Sequence, residues 1–137
     1  MPRDVIPGEV TPLLHDPVLD LLRRGHELIA DPCRWCRSAD ARTARHIDTD
    51  YFDPNAASWC TRGALLKCAG GSVPRYFDAL EMLNQAAAQI LDNEPIWSGL
   101  ALVFNDTQRH GEVMRMWRKA IAMRETQLQL MGDLYAL

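Results

Sequence analysis

Aspartate is followed by proline at 16–17, 31–32 and 53–54, and these three steps divide the first half of the chain into segments of limited length. An aspartate carboxylate accepts from the free N–H groups of a first helical turn. Proline suits the first helical position, where its missing N–H is not needed. The same dipeptide stops a preceding helix, because proline restricts the residue before it to extended conformations. Asp16-Pro17 thus predicts a helix over 17–30, ended by Asp31-Pro32, with Val18, Leu21, Leu22, Leu28 and Ile29 on one stripe. Asp53-Pro54 predicts a second over about 54–69, closed by Gly70-Gly71. On that helix Ala57, Cys60, Ala64 and Cys68 would share a narrow face, with Trp59 and Leu66 roughly opposite, a pattern that suits a central helix covered on two sides.

Ser72 and Pro74 open a third segment, about 74–91. Phe77, Leu80, Leu83, Ala87, Ile90 and Leu91 make an apolar stripe, and Arg75, Asp78, Glu81, Gln85 and Gln89 take the other side. A fourth helix is expected to begin between Asn105 and Gln108 and to run at least to Met123. Its core face is Val113, Trp117, Ala120 and Ile121; Arg115, Arg118 and Lys119 lie on the far face. Arg124 falls in the apolar stripe, so a bend or a loss of packing is expected there. Leu128, Leu130, Met131, Leu134 and Leu137 come next as an apolar tail that either folds back or meets a partner, a second copy included. Residues 33–52 read as irregular with a helical turn. The apolar run 95–104 reads as a short buried helix in preference to a strand. The fold expected is all-α: a compact single-domain bundle of four main helices plus short irregular or helical connections over 13–137. An extended arm over 1–12 precedes it, holding three of the eight prolines.

At 137 residues and 47% hydrophobic content the chain can bury a core without metal or disulfide staples. A net charge of −3 opposes a simple non-specific nucleic-acid binder. The first residues lack the basic and apolar run of a secretory signal, and no stretch has the apolar length of a membrane span. A cytoplasmic protein with four reduced cysteines is expected.

Three motifs stand out: Arg34-Trp35-Cys36; Asp53 to Leu65, with its Trp59-Cys60-Thr61-Arg62-Gly63-Ala64-Leu65 end; and Phe104-Asn105-Asp106 followed by Glu112-Val113 and Ala120-Ile121. In order and spacing, over most of 17–123, they resemble an uncharacterised family of small bacterial and phage proteins, a domain of unknown function. The likeness departs between Asp106 and Glu112, where His110 and Gly111 stand in place of a usual Arg-Thr pair. The resemblance implies a small all-helical domain and supplies no activity, cofactor or catalytic residue.

Candidate chemistry competes with plainer roles. Cys33-x2-Cys36 is a zinc half-site, and a site of Cys33, Cys36, His46 and Cys60 is geometrically open. Cys60 and Cys68, about 12 Å apart on one helix, cannot share an ion. Buried reduced cysteine is the simpler reading. Cys60 with His110 as base and Asp106 as orienting group would make a nucleophile, yet a second-turn cysteine on a packing face lacks activation, and His110 and Asp106 suit a first turn and a cap. A Cys33–Cys36 redox pair lacks the strand–helix setting of such motifs. Asp48, Asp50 and Asp53 start like a calcium loop but have Asp53 where glycine is needed and Trp59 where glutamate is needed. Arg34, Arg37, Arg42 and Arg45 with Trp35 form the densest basic patch, able to grip phosphate and stack a base, or to meet an acidic protein surface. Trp59, Trp97 and Trp117 read as core anchors and Trp35 as exposed. Together these features read as a non-enzymatic module, without cofactor or membrane contact, that binds another protein and modulates a host or phage component. The alternatives are a cysteine-centred enzyme or zinc-binding domain, and a nucleic-acid-binding protein acting through the Arg/Trp loop.

Overall fold

The computed structural model describes residues 15–135. The arm expected over 1–12 and the Leu137 end of the tail lie outside the described residues. The first Asp-Pro step does what its chemistry predicts. Asp16 caps α1 (Pro17–Leu28), its carboxylate accepting from Leu19 N at 2.8 Å.

The all-α expectation is overturned. Residues 41–59 form a three-stranded antiparallel sheet in the order β2-β1-β3, from β1 (Ala41–Thr43), β2 (Asp48–Thr49) and β3 (Ala56–Trp59). Ala41 faces Thr49 on one side and Trp59 on the other, and the β1–β3 register shifts between Arg42 and Thr43. The supposed irregular stretch 33–52 therefore holds a 3-10 turn (Pro32–Arg34) and two strands. The third Asp-Pro step, Asp53-Pro54, caps a turn instead of a helix. Asp53 Oδ1 accepts from Asn55 N at 2.8 Å and its carbonyl accepts from Ala56 N at 2.9 Å. The chain then leaves extended, so the helix expected from 54 starts only at α2 (Thr61–Ala69), with Gly70 closing it at a left-handed φ of 57°. Cys60 is consequently the N-cap of α2 and not a second-turn residue. Ala57 lies on a strand, and the proposed Ala57–Cys60–Ala64–Cys68 helical face does not exist.

The remaining helices are α3 (Val73–Ile90), α4 (Leu100–Thr107) and α5 (His110–Tyr135). The apolar run 95–104 is thus a connection up to Gly99 followed by a helix, and Asn105 and Asp106 belong to the end of α4, not to a cap of the last helix. Helix α1 packs on α2, α3 and α5, and α3 packs on α5 and α4. Leu22, Leu65, Leu83, Val113 and Trp117 are fully enclosed among them, together with Ala64, Ala79, Ala86, Ala87 and Ala120, whose small side chains let the helices approach. Each enclosed leucine contributes roughly 1.5–3 kcal/mol.

Helix α5 runs uninterrupted through Arg124 to Tyr135, and the loss of packing expected from Arg124 onward shows past Leu128. Arg124 sits in the apolar stripe because its charge is met there: its guanidinium donates to both carboxylate oxygens of Asp16, at 2.7 and 2.9 Å. One aspartate thus caps α1 and grips α5. Beyond it Leu128 is buried, whereas Leu130, Met131, Leu134 and Tyr135 are exposed. Among the described residues no helix is long and apolar enough to cross a membrane.

Candidate functional site

The strand β3 ends at Trp59 and α2 begins two residues later, so the backbone must turn sharply between sheet and helix. It does so against Asp40: Cys60 N donates to the Asp40 carbonyl at 3.2 Å, and Gly63, in the first turn of α2, faces the same oxygen. A Cβ at position 63 would overlap that carbonyl, so only glycine fits. On the other side of the turn, the Trp35-Cys36 stretch pairs with Trp59, Cys36 N donating to the Trp59 carbonyl at 3.1 Å.

The side chain that joins these pieces is Asn105, 1% exposed, from α4. Its Oδ1 accepts from Trp35 Nε1 at 2.8 Å, Thr61 Oγ1 at 2.9 Å and Thr61 N at 3.1 Å. Its Nδ2 donates to the Cys36 carbonyl at 3.2 Å and to Asp106 Oδ1 at 3.0 Å. Thr61 Oγ1 in turn accepts from Trp117 Nε1 at 3.2 Å. Buried polar groups are costly unless paired, and here two indoles, a hydroxyl, an amide side chain and backbone groups pair with one another. Asp106 also accepts from Ser38 N at 2.9 Å, and Arg37 donates to the Gln108 carbonyl while its guanidinium lies 5.0 Å from the Trp35 ring centre.

Against this junction opens a pocket of about 420 Å³, lined by Ser38, Asp40, Cys60, Arg62, Leu102 and Asp106, with Asn105 at its wall. Arg62 donates to the Asp40 carboxylate. Cys60 Sγ accepts from Gly63 N at 3.4 Å, serving as a thiol cap. A helix N-terminus ordinarily favours thiolate, but burial pushes this thiol up to about 12. The thiol therefore stays protonated at neutral pH, and burial outweighs the helix terminus. His110, the base expected beside it, does not line the pocket. Its Nε2 lies 2.8 Å from the Ile29 carbonyl, which places the proton on Nε2, and its ring packs on Trp35 at 5.3 Å. The Cys60–His110–Asp106 set is therefore not assembled; only Cys60 and Asp106 share the pocket.

Residues 14–123 match the model of a family of unknown function, DUF6197. The chain belongs to the DUF6197 family. Neither the curated proteins nor the solved structures offer a significant match. All three sequence motifs lie within the DUF6197 stretch, and the fold brings them into contact at Asn105.

The remaining sequence candidates in this DUF6197 chain scatter. A second hollow, about 560 Å³, gathers Cys33, Cys36, His46, Trp35, Arg37 and Arg42, but Cys60 does not reach it. Among the described residues no three His, Cys, Asp or Glu side chains come together around a common ion position. Cys36 is buried with its Sγ donating to the Ala39 carbonyl at 3.5 Å, and burial raises its pKa as it does that of half-buried Cys68; Cys33 is exposed. The arginines mostly have internal partners. Arg34 stands over the Trp59 ring at 5.5 Å, and Arg42 pairs with Asp48 across β1–β2 at 2.8 Å. Arg45 lies exposed in the turn between those strands. Trp35, expected in solvent, is half-buried between Arg37 and His110 with its indole N–H on Asn105.

A different surface carries exposed aromatic rings. Phe77 and Trp97, expected in the core, are 59% and 50% exposed, and Ile96 and Val103 are exposed too. A groove of about 470 Å³ runs between α3 and α4, lined by Arg62, Tyr76, Phe77, Leu80, Gly99 and Leu102. The Trp97 ring packs against Gly99 at its edge. Arg62 and Leu102 line both hollows, so groove and junction pocket lie side by side. Two signals pointed here. The stripe Tyr76, Ala79, Leu83, Ala86 has equal helical periodicity and leaves Phe77 outside, and Pro95, Ser98 and Gly99 are turn residues that interrupt the apolar run.

Proposed function

We propose that the protein is a non-enzymatic cytoplasmic module that binds another protein through its α3–α4 face. The observation that carries this reading is the exposure of Phe77 in the α3–α4 groove and of Trp97, which packs on Gly99 of that groove. Single exposed apolar residues are ordinary. Two aromatic rings, aliphatic neighbours, a tyrosine and an arginine around a concavity have the composition of interface hot spots. The neutral Cys60 thiol and the internally paired groups at Asn105 support a binding role over catalysis. The net charge and the occupied arginines work against phosphate binding.

A photo-crosslinking residue placed at Trp97, and separately at Arg118 on the outer face of α5, tests the reading in the native cell. The expected result is a defined adduct from position 97 that is absent from position 118. Equal or absent adducts from both would dismiss it. A second, separate surface is offered by Leu130, Met131 and Leu134, which stand exposed on the last turns of α5 and suit association with a second copy. Leu130→Gln with Leu134→Gln leaves Arg124 and Leu128 in place. It is expected to reduce the mass measured by light scattering; an unchanged mass would show that this surface does not self-associate.

A further inference from the structure

We infer that the trough made by the α3–α4 groove and the adjoining junction pocket receives a short segment of the partner protein bearing an apolar anchor and, beside it, a lysine or arginine. This rests on the protein-binding reading above and adds the chemistry of the partner. The apolar half is set by Phe77, Leu80 and Leu102, around a volume that admits one large side chain or two small ones. The charge is set by what lines the two hollows. Asp40, Asp106 and Glu81 contribute three carboxylates against the single guanidinium of Arg62, a surplus of two negative charges. Arg62 is already engaged by Asp40. Among the described residues Asp106 and Glu81 have no cation in contact: Asp106 accepts only from the Ser38 N–H and the Asn105 amide, and Glu81 only from the Gln85 amide. Arg42 lies near enough to feel Asp106, but its guanidinium is held by Asp48. A trough with an apolar end and unmatched carboxylates repels phosphate and acidic peptides. It attracts a cation whose neighbour can enter the groove.

The test uses a random twelve-residue peptide display library panned on the full chain, with the selected peptides synthesised and their affinities measured by fluorescence polarisation. Phe77→Ser removes the anchor wall. Asp106→Asn and Glu81→Gln remove charge, and the asparagine keeps an oxygen for Ser38 N. Unchanged circular dichroism and melting of each variant confirm that it folds. Selected peptides are expected to share a large apolar residue next to Lys or Arg and to bind more weakly as salt rises. They should lose about tenfold or more in affinity to Phe77→Ser and several-fold, up to about tenfold, to the double charge variant. Peptides that lack a basic residue, ignore the charge variants and still require Phe77 would overturn the cationic partner while leaving protein binding at this face intact. Peptides indifferent to Phe77→Ser, or no selection above background, would overturn the trough as a peptide site, whereas the adduct at Trp97 judges the broader reading independently.

Discussion

Around Asn105 polar atoms lie in the interior and bond to one another, whereas on the α3–α4 face phenyl and indole rings stand in solvent. Side-chain polarity sets neither outcome. An amide enters the interior when every donor and acceptor finds a partner, and an aromatic ring stays outside when the stripe that faces the core is filled by its neighbours, as Tyr76 and Ala79 fill it beside Phe77. The junction should thus be sensitive to the loss of a single polar atom, and the face should tolerate the loss of a whole ring.

The sharpest break would come at Gly63. Gly63→Ala sets a methyl group into the Asp40 carbonyl, a backbone atom that cannot swing away. A destabilisation on the order of 3 kcal/mol or more is expected in denaturant melts. Asn105→Ala comes next, at about 2–4 kcal/mol, because the Trp35 indole and the Thr61 amide lose their acceptor in the interior. Acid should loosen the fold in two stages. Burial, aided by the charges of Arg118 and His110, holds His26 below the ordinary imidazole value of about 6.5. The unfolded chain therefore binds the proton more readily, so this contribution is present above that value and is lost as pH falls through the folded one. His26→Leu should flatten stability between about pH 7 and pH 5. The hydrogen bond from Arg124 leads the causes that hold Asp16 below its ordinary range. Its contribution is present above about pH 4 and fails only as pH falls through that lowered value. The smallest effect belongs to the face: Trp97→Ser should change stability by no more than about 0.5 kcal/mol. If it cost as much as Asn105→Ala, the contrast between the two regions would be wrong.

The parts of the fold legible in the chain are those whose partners are close in sequence. Asp16 and Leu19 are three residues apart, and Gly70 closes its own helix, so the cap and the stop are visible. Asp53 carries the same dipeptide signal as Asp16, since its carboxylate serves the N–H groups of a turn as readily as those of a helix. The residues after the proline settle which of the two forms, and strands of three, two and four residues are too short to show alternation. Arg124 looks like a fault because its counter-charge lies 108 residues away. At the junction Trp35, Cys60, Asn105 and Asp106 each stand out in the sequence, yet their arrangement depends on pairings such as Trp35 with Asn105 across 70 residues, which no local pattern encodes. The α3–α4 face is hidden in the sequence because two stripes on α3 have equal periodicity and because apolar residues such as Ile96 and Trp97 stay exposed.

The unequal settings of the indoles equip the molecule with an internal optical gauge. Trp117 is sealed off on Thr61, Trp59 donates to the Tyr51 carbonyl and Trp35 to Asn105, while Trp97 is the most exposed of the four. Long-wavelength, acrylamide-quenchable emission should therefore come mostly from Trp97, and the shielded remainder from the other three. A titrant that dims or shifts only the first component is engaging the groove's edge, and one that disturbs the second is opening the protein.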